Sequence, residues 1–537
     1  MDARLVTLKT EELKYNTSEE FLFAVEEFTR QYGNDTIVIF AQRRGLSGFD
    51  WTSEKNSSEN VSSQNNSFQN FVSASELPRE LCFENHNTLE IRVFGGIQNE
   101  TEIYSLDHFF ETLKKTQDDA DSSSDADSQS NSDLHNSPRL FLLPSYFPWE
   151  SETQQPAFIR IAKEEKRFVL PASLIDAHLS DTPLSDTPLS DTPLSDTPLS
   201  DTPLSDTPLS DTPLSDTPLS DTPLSDTPLS DTPPSTAAEE TNGRFQFESK
   251  KRSHIEKTIG AIQEKMRDGD CYLMNYTTRV NDFSLSHGFS ALHFAKSWLR
   301  NPSRFGVFYK SKSHGVMSFS PERFVATRGG WIATEPIKGT IKAQSSFIPT
   351  LQDAHALWNM QKEICEHTMV VDLLRNDLNG ICVPGTVGVW QPFFAGIAGS
   401  LLQMQSTVFG KLLNSACIGD FLKNVLPAGS VTGTPKWRVC ELTEQLEPER
   451  RGYYTGIFGV IDFNKTDSTK INCSNGCNCT KQYPPSLDTV LLIRSLFLEH
   501  GKCSAGVGAG ITTLSNPTQE VDEFEIKLRS FLGKLES

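Results

Sequence analysis

Cysteine is scarce in this chain, ten residues in 537. Most of them stand singly within apolar segments, as small buried hydrophobes in a reducing compartment do, so a disulfide framework is not expected. No uninterrupted apolar run approaches the roughly eighteen residues that a membrane-spanning helix needs. The first residues, Met1 to Glu12, carry acids and lack the apolar core of a secretory signal. Basic residues are also outnumbered, 49 Lys and Arg against 70 Asp and Glu, for a net charge of −21. Eleven copies of Leu-Ser-Asp-Thr-Pro between Leu179 and Pro233 each contribute one Asp and no other charge, so the rest of the chain carries −10. That balance, with no basic stripe, excludes broad electrostatic capture of nucleic acid. The expectation is a cytoplasmic protein with neither a nucleic-acid nor a membrane partner.

The texture of the chain changes twice. Residues 1–175 form an N-terminal α/β segment with strand-like runs at Thr36 to Phe40 and Leu140 to Leu143, interrupted by polar tracts at Ser53 to Ser67 and Gln117 to Ser137. Residues 176–243 contain the pentapeptide array. A proline every fifth position removes backbone donors and disfavours helix, and the array has too little apolar surface to offset ordering, which predicts a disordered linker. From 244 to 537 periodic segments and short turns follow one another closely, the pattern of a folded domain, and the candidate catalytic residues lie there. Cys473, Cys477 and Cys479 have a spacing that suits a soft metal, but no fourth cysteine or histidine is near them in sequence.

Chemistry-bearing residues concentrate in this last region. Lys338, in Thr-Glu-Pro-Ile-Lys-Gly-Thr, follows a strand-like run, sixteen positions after Glu322. A neutral amine is a nucleophile and a protonated carboxyl is a general acid, so the two in one cavity supply both halves of a substitution. Glu363 with Glu366, and Glu520 with Glu523, are i, i+3 pairs on helix-periodic segments, which puts each pair on one helix face. Four carboxylates without cysteine suit a hard cation such as Mg²⁺, provided the two faces converge; a single pair is indistinguishable from a solvated face. Two glycine-rich segments, Pro427 to Lys436 and Ala505 to Gly510, read as turns that offer backbone N–H groups, and neither has the spacing of a P-loop or of a dinucleotide fold. Arg494 lies in the apolar run Val490 to Leu498, where a guanidinium needs an anionic partner, either a ligand carboxylate or a protein one.

Six ordered blocks give these residues a context: Ser320-Pro321-Glu322, PIKGT at 336–340, EHTMVVDLLRNDL at 366–378, AGSVTGTPK at 428–436, EPERRGYYTGIFGVID at 447–462, and GAGI with the acidic helix at 508–527. Together they resemble the chorismate-utilising enzymes. The lysine of PIKGT resembles aminodeoxychorismate synthase component I, whereas anthranilate synthase component I typically has alanine there. The resemblance implies an α+β fold of two large, orthogonally packed antiparallel β-sheets flanked by helices.

It implies further that Glu366 and Glu523 ligate Mg²⁺, with Glu363 and Glu520 beside it, and that the metal holds the ring carboxylate of chorismate. Lys338 would attack C2 as the C4 hydroxyl leaves with Glu322 as general acid; ammonia then adds at C4 and displaces the lysine. Tyr454 and Arg494 resemble the ligands of the enolpyruvyl carboxylate. Gly429, Ser430, Thr432, Gly508 and Gly510 resemble the backbone donors, and Asn275 and Lys527 complete the binding set. Two departures stand out: Leu273 where the family often has glutamine, and Gln403 where histidine is common. No Gly-x-Cys-x-Gly elbow is present, so ammonia is expected from a separate glutamine amidotransferase subunit, with a separate lyase completing 4-aminobenzoate for folate. The competing expectations are anthranilate synthase component I and a non-catalytic chorismate-binding regulatory protein.

Overall fold

The computed structural model describes most of 246–536, together with the strands and helices named here between 12 and 171. The repeat array, both polar tracts, and Cys473 and Cys477 with the side chain of Cys479 lie outside the described residues. Two ten-stranded sheets organise them. The first runs, in spatial order, through strands Glu12–Lys14, Glu164–Pro171, Thr88–Gly95, Val38–Arg44, Phe305–Lys310, His314–Ser318, Ser495–Glu499, Lys502–Ile511, Leu273–Phe283 and Gly433–Thr434. Its pairings are antiparallel apart from the parallel edge pair of Glu12–Lys14 with Glu164–Pro171. The second runs through Ile337–Lys342, Leu401–Lys411, Trp331–Glu335, Arg323–Arg328, Ser486–Leu491, Ile457–Asp462, Arg139–Leu143, Glu152–Ile161 and Gln98–Ser105, with Gly388–Ala398 also paired to Leu401–Lys411. The fold is α+β.

Continuous apolar runs form strands here because both strand faces are buried. In Val38–Arg44, Ile39 and Ala41 pack into one core while Val38 and Phe40 pack into another. Leu140 and Leu142 likewise share a core with Val38 and Phe40, while Phe141 and Leu143 enter a third. A period of two therefore sends alternate side chains to opposite sides of each sheet. The core holding Phe40, Leu142, Tyr309, Phe458 and Phe497 draws on strands of both sheets and lies between them. On the far side of the first sheet pack helices Ser18–Tyr32, Ser249–Arg267, Ala291–Arg300 and Pro517–Glu536; on the far side of the second pack Gln361–Asn379 and Ile418–Val425. The order of layers is helices, sheet, sheet, helices.

The N-terminal strands do not stand apart. Val38–Arg44 pairs with Phe305–Lys310, and Arg139–Leu143 pairs with Ile457–Asp462, so 12–171 and 246–536 complete both sheets together. Arg92 reinforces the union: its guanidinium donates to Asp462 Oδ2 and Oδ1 at 3.0 and 2.7 Å, and to Glu165 Oε1 at 2.6 Å. Among the described residues, no helix is long and apolar enough to cross a membrane.

A second buried ion network sits where chemistry was expected. Arg323, next to Glu322 in the chain, donates to Glu335 Oε2 at 2.7 Å and pairs with Asp488, while Arg304 reaches the same Glu335 oxygen at 2.8 Å. These contacts tie three adjacent strands, Trp331–Glu335, Arg323–Arg328 and Ser486–Leu491, beside Glu322. Removing one member strands a buried charge, which costs far more than an exposed pair would. Arg323→Met is expected to lower the unfolding free energy by about 3–5 kcal/mol, measured by urea denaturation; a loss within about 0.5 kcal/mol, the ordinary surface value, would contradict the role given to this network.

Candidate active site

A cavity of about 470 Å³ opens where the two sheets and two helices meet. Strand Ile337–Lys342 contributes Lys338, and the turn before strand Arg323–Arg328 contributes Glu322. Strands Leu273–Phe283 and Lys502–Ile511 contribute Asn275 and Gly506 to Gly510. Helices Gln361–Asn379 and Pro517–Glu536 contribute the acids, and the chain around Tyr454 and Arg494 closes the remaining wall.

Lys338 is aimed by a bulge. The register of its strand against Leu401–Lys411 shifts between Lys338 and Thr340, and the residue between them, Gly339, has φ of +64°. Glycine takes that conformation without strain, and a bulge there re-aims the preceding side chain. The Lys338 ammonium then lies 3.2 Å from Asn275 Oδ1 and 3.4 Å from Glu366 Oε2. Asn275 Nδ2 is buried with no hydrogen-bond acceptor among the described residues.

Glu322 is 5% exposed. Burial pushes its carboxyl up to about 7, against the opposing pull of a hydrogen bond with Ser430 and the charges of Lys338 and Arg304. The acid therefore holds its proton to far higher pH than an ordinary glutamate, as a proton donor to a leaving hydroxyl must. Its backbone is fixed as well: the N–H donates to Ser320 Oγ at 3.2 Å and the carbonyl accepts from Leu491 N at 3.2 Å.

The two acidic helix faces converge. Glu363, Glu366 and Glu523 line the cavity, and Glu520 lies behind it. Burial raises the Glu363 carboxyl, and the Glu366 and Glu523 charges add to the rise; Lys527, at 2.7 Å, lowers that of Glu523. Lys362 stands among them, 3.5 Å from Glu366 Oε1 and in direct contact with Glu520 Oε1. Burial works against its charge, but Glu366 and Glu520 outweigh burial and raise its pKa. No three acidic groups among the described residues already surround one point as metal ligands do. The acids of the two helices nevertheless suit a hard divalent cation: Glu366 Oε1 is buried without a hydrogen-bond partner among the described residues, and Glu363 and Glu523 add carboxylate oxygens to the same cavity wall.

The opposite wall is built for an anion. Arg494 lies at the corner where the chain passes from strand Ser486–Leu491 of one sheet to Ser495–Glu499 of the other, rather than within one continuous strand. Its φ is +50° and that of Thr455 facing the same cavity is +63°, conformations that non-glycine residues adopt at some cost. Arg494 has no protein carboxylate in salt-bridge range among the described residues, and burial lowers its pKa. A deep guanidinium facing a cavity has the charge and planar donor geometry to receive a carboxylate. Tyr454 lies beside it, its hydroxyl held protonated by burial.

The glycine run Ala505 to Gly510 is a strand rather than a turn. It pairs residue by residue with Leu273–Phe283, so its N–H groups belong largely to the ladder. Its glycines serve close approach: a Cβ on Gly506 would enter the Tyr454 ring, and one on Gly510 would strike Glu366 Oε2 and come within 3.1 Å of Lys338 Nζ. The Gly508 carbonyl accepts from Lys527 Nζ at 2.9 Å. In the other glycine-rich segment Ser430 reaches the cavity, whereas Gly429 packs against Leu373 and the Thr432 hydroxyl is spent on the Ala428 carbonyl. The structure thus gathers Lys338, Glu322, Asn275, Tyr454, Arg494, Ser430, Gly508, Gly510, Lys527, Glu363, Glu366 and Glu523, and leaves Gly429, Thr432 and Glu520 off the cavity surface. Leu273 points into the core and not into the cavity, so its departure from the family pattern removes no cavity-facing donor; Gln403 does line it. Lys362 and Gly506 belong to the site and were not foreseen. The i, i+4 spacing of Lys362 and Glu366, and the Gly-x-Gly-x-Gly alternation, were the available signals.

Comparison with known proteins matches residues 78–471 and 481–533 to the family described as chorismate binding enzyme. Aminodeoxychorismate synthase component 1 of Salmonella typhimurium is 32% identical over 277 residues, covering 51% of this chain and 56% of the relative. Anthranilate synthase component 1 of Thermus thermophilus is 30% identical over 305 residues, covering 56% of this chain and 61% of the relative. The matched part thus spans little more than half the length of these curated relatives. A putative 2,3-dihydroxybenzoate-specific isochorismate synthase from Bacillus anthracis superposes with a TM-score of 0.56 at 14% identity, over 95% of this chain and 99% of that one. The menaquinone-specific isochorismate synthase of Escherichia coli gives 0.51 at 16% identity, over 83% and 86%. The family match spans most of the chain, the cavity and all strands of the two sheets except Glu12–Lys14 and Val38–Arg44 included, and the chain belongs to the chorismate-binding enzymes.

Proposed function

We propose that this chain replaces the C4 hydroxyl of chorismate by an amino group, giving 4-amino-4-deoxychorismate, as component I of an aminodeoxychorismate synthase. The observation that carries the reading is a buried carboxyl, Glu322, sharing one cavity with Lys338. Lys338, once its ammonium has given up a proton, attacks C2; the two conjugated ring double bonds shift from C1=C2 and C5=C6 to C1=C6 and C4=C5, the C4–O bond breaks, and Glu322 gives its proton to the departing hydroxyl, which leaves as water. Ammonia then attacks C4, both double bonds shift back, and the C2–N bond to Lys338 breaks, returning the amine. Arg494 and Tyr454 hold the enolpyruvyl carboxylate, and Asn275 orients the lysine. Glu366 and Glu523 would hold Mg²⁺, with Glu363 adjoining; when bound, the metal supplies positive charge for the ring carboxylate. A partner glutaminase supplies ammonia, and a lyase uses the product for 4-aminobenzoate.

The residue at 338 separates this reading from anthranilate synthesis, the activity named for the Thermus thermophilus relative. Incubation with chorismate, Mg²⁺ and ammonium is expected to give a non-aromatic amino product and no anthranilate fluorescence; accumulation of anthranilate would overturn the assignment. Without ammonia, intact-mass analysis is expected to find a chorismate-derived adduct on the parent protein and none on Lys338→Ala. An adduct on both would remove Lys338 as nucleophile.

The raised carboxyl gives a pH dependence of definite sign. Glu322 acts while protonated, so kcat/KM is expected to fall as pH rises through about 7. Glu322→Gln should lose about 10²–10⁴-fold in kcat and with it that alkaline limb. The same limb surviving in the glutamine variant would assign it to another group.

A further inference from the structure

The lysine between the acidic helices has no part in the displacement chemistry. Lys362 lies in the first turn of Gln361–Asn379, so its side chain reaches Glu366 one turn on, at 3.5 Å, and crosses to Glu520 on Pro517–Glu536 in direct contact. Its side chain is 24% exposed and those of its two partners 4% each. Of the lysines around the acids, Lys338 is turned toward Glu366 Oε2 and Asn275, and Lys527 is committed to Glu523 and the Gly508 carbonyl. Lys362 alone among these three spans both helices, and it is the cation nearest to Glu366 Oε1, the oxygen that lacks a hydrogen-bond partner.

We propose that Lys362 is the resident counter-cation of this seat: it holds Glu366 and Glu520 together while the seat contains no divalent ion, and it competes with such an ion for Glu366, the carboxylate the two would share. Two buried glutamates from different helices repel unless a cation lies between them. An ammonium fills that place at single charge, and a divalent ion engaging Glu366 Oε1 meets it as a like charge. Lys362 thereby keeps the metal-free protein folded around an intact acidic cluster and weakens its affinity for free Mg²⁺. The inference rests on the metal reading of Glu366 and Glu523 given above.

Calorimetric titration of the full chain with Mg²⁺, without chorismate, tests it, alongside thermal melting with and without the metal. Lys362→Met keeps the apolar stem and removes the charge; it is expected to bind Mg²⁺ about ten-fold more tightly than the parent. It should melt lower than the parent in chelator and recover in saturating Mg²⁺. Lys362→Arg, charged but bulkier, should bind no more tightly than the parent, and Lys362→Gln serves in place of the Met variant if that fails to fold. Equal or weaker Mg²⁺ binding in the neutral variants, with native circular dichroism, would overturn the proposal while leaving the metal seat standing. Absence of Mg²⁺ binding in parent and variants alike would remove the seat itself, and the role of Lys362 with it.

Discussion

Desolvation of one carboxyl governs this site. Glu322 sits at the floor of a cavity closed by two sheets, and its proton is retained because the charged form has lost water without gaining a full ion pair. The compensations are partial by construction: Ser430 gives one hydrogen bond, while Lys338 faces Glu366 and Arg304 is held by Glu335. Had either cation turned to Glu322, the carboxyl would be an ordinary ionised partner. The neighbouring ion networks therefore matter for what they keep away from the acid as much as for stability.

The surrounding architecture explains why such an arrangement holds still. Strands from 12–171 complete both sheets, so the cavity is roofed by cores whose members come from opposite ends of the chain. Arg92 with Asp462 and Glu165, and Arg323 with Glu335 and Asp488, fix strand ends that could otherwise slide. Several residues of the sequence blocks serve this scaffold and not chemistry. Asp377 pairs with Lys436 at 2.6 Å, joining two blocks, and Arg451 joins Glu447 at 2.7 Å to the Asn275 and Val431 carbonyls.

Much of the site was legible because its signals are local. The i, i+3 acids declare themselves on a helix face, and Lys338 and Glu322 sit in short blocks with distinctive neighbours. What failed was local information with two meanings. Gly-x-Gly-x-Gly signals a turn or a strand against which side chains press, and only the pairing with Leu273–Phe283 decides between them. An arginine in an apolar run reads as a strand interior until the chain is seen to change sheets there. The two-sheet architecture came from family resemblance, since periodicity gives only a mixture of helices and strands. The sharing of both sheets by the first 171 residues depends on pairings hundreds of positions apart, which no window of sequence contains. Nothing local marks Lys362 for the same reason: its second partner lies on another helix.

The proposed chemistry needs a Glu322 carboxyl that keeps its proton near neutrality beside Lys338. The direct measurement is a pH titration of the Glu322 side-chain carboxyl by carbon-13 NMR, assigned by comparison with Glu322→Gln. A midpoint of about 7 is expected in the unliganded protein. A midpoint near 4.3, the value of an unperturbed glutamate, would contradict it.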